Sequence, residues 1–101
     1  MAVTVLIRRR VTAGKGELLE KLYQELVALA VTQKGYLGAE TMKRADQPDE
    51  YLIISKWECV EDWSRWLISD TRRAYQEQID ALTGAKTKFE IYEHYQGGIG
   101  P

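Results

Sequence analysis

His94 is the only histidine in this 101-residue chain, and the one side chain whose ordinary pKa makes an easy base at neutral pH. Facing a pocket, it is the first choice for taking a proton from a substrate. It also lies near the end of a strand beside a glycine-rich tail, where a lone histidine is more often a surface or interface residue. Tyr75 is the second candidate for a catalytic role. It stands four residues before Ile79 on an apolar helical face, so its phenol could bond a substrate oxygen or merely a backbone carbonyl.

Three further residues are expected to bind substrate. Trp66 offers a ring for stacking and one N–H donor, although Trp63 and Trp66 at helical spacing are also what a packed core requires. Tyr23 stands one step from Leu22, at the edge of an apolar stripe, where it reaches the same space or solvent. Arg9 shares a strand face with Val5, Ile7 and Val11, so a charge enters an apolar row and needs a partner: a substrate oxyanion, Glu90 or another strand carboxylate. Cys59 has no histidine close in sequence to activate it and reads as inert. Glu58, Glu61 and Asp62 resemble a carboxylate cluster, but a helix N-terminus explains them through the helix dipole. One histidine and one cysteine are too few for a typical zinc cage, and no metal site is expected.

Positioning these groups requires elements, and the pattern supplies six. Ala2–Val11 is rich in valine and isoleucine and reads as a strand, ending before Ala13-Gly14-Lys15-Gly16. From Glu17, leucines 18, 19, 22, 26 and 29 recur at helical steps to about Thr32, with Gly35 as the stop. Tyr36–Arg44 and Glu50–Trp57 form an antiparallel hairpin around Ala45-Asp46-Gln47-Pro48-Asp49. Helical spacing resumes at Val60 and restarts at Ser69-Asp70, running through Tyr75, Ile79 and Leu82 to Gly84. Lys86–Tyr95 is the last strand. The order β-α-β-β-α-β predicts an α+β, ferredoxin-like fold, with helices on one face of a four-stranded antiparallel sheet. Residues 1–96 are expected to form one domain and 97–101 a flexible tail.

The other sheet face needs a cover. Leu52 and Ile54 alternate against Tyr51, Ile53 and Trp57, and Tyr92 against Phe89 and Ile91, so both faces carry apolar bulk. A second copy across a two-fold axis is the simplest cover, and a homodimer is expected. A formal charge of −1 with both signs interspersed gives no footprint for nucleic acid or a membrane surface. No stretch approaches the ~20 apolar residues of a membrane span, and MAVTVLIRRR lacks the order of a signal peptide. A cytoplasmic protein is expected.

The segment Tyr51–Asp70, YLIISKWECVEDWSRWLISD, resembles the antibiotic biosynthesis monooxygenase family of dimeric α+β barrels. Its most specific part is Ser55-Lys56-Trp57-Glu58, then Glu61-Asp62, then Trp66-Leu67-Ile68-Ser69-Asp70; Lys34-Gly35-Tyr36-Leu37-Gly38 is similar to the family's lead into the second strand. The resemblance implies a cofactor-independent monooxygenase, in which a deprotonated phenol or quinol-like aromatic reacts with dioxygen directly in a dry aromatic pocket. It also implies a test for haem degradation, which in that branch uses an asparagine on the first strand, a tryptophan, and a histidine as iron ligand. Trp66 matches the tryptophan, but Gln76 stands where the histidine is expected and the first strand has no asparagine, which argues against that branch. The alternatives are a non-catalytic protein that binds an apolar small molecule, and a structural dimer module whose aromatics fill the core.

Overall fold

Alternation along the first strand sets the architecture. The computed structural model describes residues 1–11, 14–84 and 87–95. Strand β1 (Val3–Arg10) buries Val3, Val5, Ile7 and Arg9 on one face and turns Leu6, Arg8 and Arg10 to the other. It lies second from the edge in a four-stranded sheet of order β2-β3-β1-β4, built with β2 (Tyr36–Lys43), β3 (Glu50–Trp57) and β4 (Lys88–Glu93). All three pairings are antiparallel. Helices α1 (Gly16–Ala30), α2 (Val60–Leu67) and α3 (Asp70–Thr83) complete the expected α+β, ferredoxin-like order. The sequence-expected tail, residues 97–101, lies outside the described residues.

The core sits between helices and sheet. Val3, Val5, Ile7 and Ile53 from the strands meet Ala30 of α1 and the three tryptophans 57, 63 and 66. Trp57 is the hub: its ring stacks on Trp66 with centroids 6.4 Å apart, meets Tyr36 edge-on at 5.5 Å and contacts Trp63 at 6.0 Å. Its indole N–H is satisfied by Ser55 Oγ at 2.7 Å, so the largest side chain of the core is buried without a polar cost. A second cluster of Val11, Leu19 and Ile79 closes the other end beneath α1 and α3. Leu18, expected in the same helical stripe, is 54% exposed, because the stripe is carried by 19, 22, 26 and 29 and leaves 18 at its solvent edge.

Two local devices shape the space between helices and sheet. An irregularity between Tyr36 and Gly38 inserts one extra residue into β2 opposite β3. Tyr36 and Ala39 therefore face the core side three residues apart, and Leu37 turns out to solvent. At the break between α2 and α3, the Ser69 hydroxyl donates to the Trp66 carbonyl at 2.8 Å and accepts from the Arg72 backbone N–H at 3.2 Å. One side chain thus ends one helix and caps the next. Trp66 and Arg72 are held on opposite sides of that corner and both point into the core, 5% exposed each.

Candidate functional site

A narrow cavity of about 60 Å³ runs between α1, the α2–α3 corner and the sheet, with Arg9, Tyr23, Ser55, Trp63, Trp66 and Arg72 in its wall. Beside it lies a groove of about 520 Å³ between α1 and the β2–β3 hairpin, where Gln24, Thr41, Lys43 and Tyr51 stand. Tyr23 and Val27 line both spaces and stand between them. The inner cavity has room for a water or two, at about 30 Å³ each in the liquid, whereas a dry cavity that takes benzene measures about 150 Å³. An aromatic ring therefore fits the groove, and only a substituent reaches the cavity.

The polar content of the cavity is unusual for a core. Arg9, only 6% exposed, donates from Nη1 to Thr87 Oγ1 at 2.7 Å, and its guanidinium carbon lies 5.4 Å from the centre of the Tyr23 ring. Arg72 donates to Gln76 Oε1 at 2.7 Å and to the Leu67 carbonyl at 3.3 Å, and sits over Phe89 and Trp63 at 5.0 and 5.7 Å. Asp80 joins the two halves: its Oδ1 accepts from Gln76 Nε2 at 2.6 Å and from Thr87 Oγ1 at 2.8 Å. Among the described residues, three buried side-chain atoms have no hydrogen-bond partner: Arg9 Nε, the Tyr23 hydroxyl and Trp63 Nε1.

Burial and charge act as this geometry requires. Burial pushes the Tyr23 hydroxyl up to about 12, with Arg9 opposing the rise. Burial likewise pushes Arg72 down to about 10, Arg9 adds to the fall and Asp80 resists it. Arg9 is lowered by burial, with Tyr23 and Asp80 opposing. At neutral pH both guanidiniums are charged and Tyr23 is a neutral phenol. The cavity thus presents donors and positive charge, an arrangement that stabilises a negative oxygen rather than removes a proton.

Of the residues expected from the sequence, the structure brings Arg9, Tyr23 and Trp66 together around the cavity. Tyr75 is half-buried on α3 and His94 is exposed beyond the end of β4; neither lines the cavity or the groove. Arg9 does not pair with Glu90, because the two lie on opposite faces of the sheet, and Glu90 pairs with Arg8 instead. Tyr23 turns its hydroxyl inward rather than to solvent. Cys59 donates to Asp62 Oδ2 at 3.2 Å; the Asp62 backbone lowers its pKa, but the Asp62 side chain and burial outweigh that and raise it, which suits an inert thiol. Among the described residues no cluster of three His, Cys, Asp or Glu side chains could hold a metal ion. Arg72 escaped sequence reading, although its spacing of seven from Ile79 places it on the buried face of α3.

A larger hollow of about 620 Å³ at the end of the sheet is lined mostly by basic side chains around Glu50. There Arg10 and Arg44 both bind Glu50, and Arg44 also binds Asp46 at 2.6 Å. Its ion pairs, Arg10 and Arg44 with Glu50 among them, are solvent-exposed and individually worth little.

The profile described as "antibiotic biosynthesis monooxygenase" matches residues 2–78. No curated protein matches the chain. Among solved structures, SnoaB, a cofactor-independent oxygenase from Streptomyces nogalater, superposes with a TM-score of 0.83 at 18% identity, covering 98% of each chain. A conserved protein from Methanosarcina mazei Go1 gives 0.87 at 15% identity over 94% of each chain. Rv0793 from Mycobacterium tuberculosis gives 0.83 at 13% identity, covering 97% of this chain and 99% of that one. At such identities the likeness shows the fold.

Proposed function

This chain belongs to the antibiotic biosynthesis monooxygenase family, and from that premise we propose that it is a cofactor-independent monooxygenase of a phenolic or quinol-like aromatic. The observation that carries the reading is the pairing of a ring-sized groove with an inner cavity walled by Trp66, Tyr23 and Arg9. The substrate ring lies in the groove past Val27, with one oxygen at the cavity. Arg9 and Tyr23 stabilise that oxygen in its ionised form, which raises the electron density of the ring and its reactivity towards dioxygen.

For an anthrone-like methylene, the step balances without an outside reductant. The carbon loses two hydrogens and gains one oxygen as a carbonyl, and the second oxygen leaves as water with those hydrogens. All four electrons come from the substrate. Tyr75 and His94 stand outside this arrangement, and proton transfer falls to solvent at the groove mouth.

The same reading makes the protein a homodimer. Leu6, Leu52 and Ile54 are half-buried on the outer sheet face, beside the exposed side chains of Met42 and Tyr92. A second copy would cover this row, as aligned apolar faces require. None of the described helices is long and apolar enough to cross a membrane. A cytoplasmic location fits the single unpaired Cys59. The experiment is to titrate purified protein with naphthols, anthrones and quinols while recording tryptophan quenching and oxygen consumption together. Quenching with uptake supports an oxygenase; quenching without uptake leaves a binding protein.

A further inference from the structure

One half-buried carboxylate on α3 reaches both buried arginines through neutral side chains. Arg72, Gln76 and Asp80 stand at four-residue steps, so the helix sets them in one row. Asp80 Oδ1 accepts from Thr87 Oγ1 at 2.8 Å and from Gln76 Nε2 at 2.6 Å. Thr87 Oγ1 accepts in turn from Arg9 Nη1 at 2.7 Å and from Gln76 Nε2, and Gln76 Oε1 accepts from Arg72 Nη2 at 2.7 Å. A single arrangement of hydrogens satisfies these contacts. Guanidinium and amide nitrogens only donate, so they fill both lone pairs of the Thr87 hydroxyl, and its own proton must go to Asp80. Turning the Gln76 amide over would set its NH2 against Arg72 and its oxygen against Asp80, so its orientation is fixed as well. Asp80 is the final acceptor on both routes, and its charge favours the ionised form of both arginines. Among the described residues the Thr87 hydroxyl is the one hydrogen-bond partner of the Arg9 guanidinium. Asp80, Gln76 and Thr87 stand outside the walls of the cavity and the groove, so whatever they do for a ligand passes through the arginines.

Resting on the reading that Arg9 meets the ligand's oxygen, we infer that Asp80 is a positioning residue: through Thr87 it sets where the Arg9 guanidinium stands in the cavity wall, and through Gln76 it fixes Arg72 over Trp63 and Phe89. Arg9 works against the charge on Arg72, and an anion shared by both lets the two cations stay inside the fold. Arg9 also borders the hollow at the end of the sheet, so without the Thr87 link its head has other space to enter.

Conservative variants of the full chain test this. Thr87→Val removes the hydroxyl and keeps the shape, Thr87→Ser keeps the hydroxyl, and Asp80→Asn removes the charge, a second route should circular dichroism show that Thr87→Val does not fold. The probe is 2-hydroxy-1,4-naphthoquinone, a planar anion at neutral pH, followed by tryptophan quenching. Thr87→Val and Asp80→Asn should each bind it about tenfold more weakly, the scale of a hydrogen bond to a charged group, and Thr87→Ser should restore the wild-type affinity. In an Arg9→Met background, Thr87→Val and Asp80→Asn should cause no further loss, because both act through Arg9. An equal loss in that background, or no loss in the wild-type one, would overturn the positioning role and leave the groove reading standing. A wild-type protein that does not bind the quinone would overturn the groove reading and the positioning role with it.

Discussion

The Arg9 guanidinium lies over the Tyr23 ring at 5.4 Å, yet Arg9 Nε and the Tyr23 hydroxyl both lack a hydrogen-bond partner among the described residues. The contact satisfies the cation through the ring face and strands the two polar atoms beside it. A fold selected for stability alone has no reason to keep a hydroxyl there. Replacing Tyr23 with phenylalanine should therefore cost nothing or stabilise by up to about 1 kcal/mol, since it deletes an unsatisfied buried group and keeps the ring. The same Y23F variant should bind ionised naphthoquinones more weakly. Thermal melting and calorimetry on one preparation check both halves; a clear loss of stability would mean that the hydroxyl has a structural partner.

Tyr23 should also be the last tyrosine to ionise. Its folded pKa of about 12 lies above the ordinary 10.0, because burial disfavours the phenolate more than Arg9 favours it. The folded protein keeps a proton there that the unfolded chain has lost. The contribution to stability is complete below about pH 10 and disappears as pH rises towards about 12. A difference titration of phenolate absorbance, wild type minus Y23F, should show this late step. A difference curve centred at the ordinary tyrosine value would contradict the burial of the hydroxyl.

Gly35 is fixed by its neighbour Asp62. Its φ is +84°, and a Cβ there would fall 2.6 Å from the Asp62 Cβ and closer still to the carboxylate. The Gly35 carbonyl also accepts from the Glu58 backbone N–H at 2.7 Å, tying the start of β2 to the β3–α2 junction. Gly35→Ala should destabilise by more than about 2 kcal/mol, combining strained backbone with a collision at a buried acid. Denaturant unfolding measures it.

The outer sheet face should govern assembly. Leu6 and Ile54 are directly opposed across β1 and β3, so a charge at Ile54→Glu should convert a two-chain species to one chain. Ile68→Glu, at an exposed position on the helical side, should leave assembly unchanged. Sedimentation analysis separates the outcomes, and a wild-type protein that sediments as one chain would refute the homodimer.

The fold was readable because its signals are local. Strand alternation in β1 and β3, the turn around Pro48, the Ser69 cap and the left-handed Gly84 each act within a few residues, and the elements formed where those residues stand. The Arg9 side of the site was readable for the same reason: a charge in an apolar row announces itself. Its partners were not. Thr87 lies 78 positions from Arg9 in the chain, and the link through Asp80 and Gln76 to Arg72 depends on how α3 docks against the sheet. Tyr23 at the stripe's edge could face either way from sequence, and the Arg9 guanidinium decides it.

Oxygen consumption with an anthrone or quinol substrate, measured on wild type and on Val27→Trp, tests the central claim most directly. Val27 lines both groove and cavity and is 38% exposed, so an indole there should fill the space between them while the fold tolerates it. The account predicts saturable uptake by the wild type, reduced about a hundredfold in the variant, whose melting temperature is little changed. No uptake above buffer, or uptake that Val27→Trp leaves untouched, would contradict it.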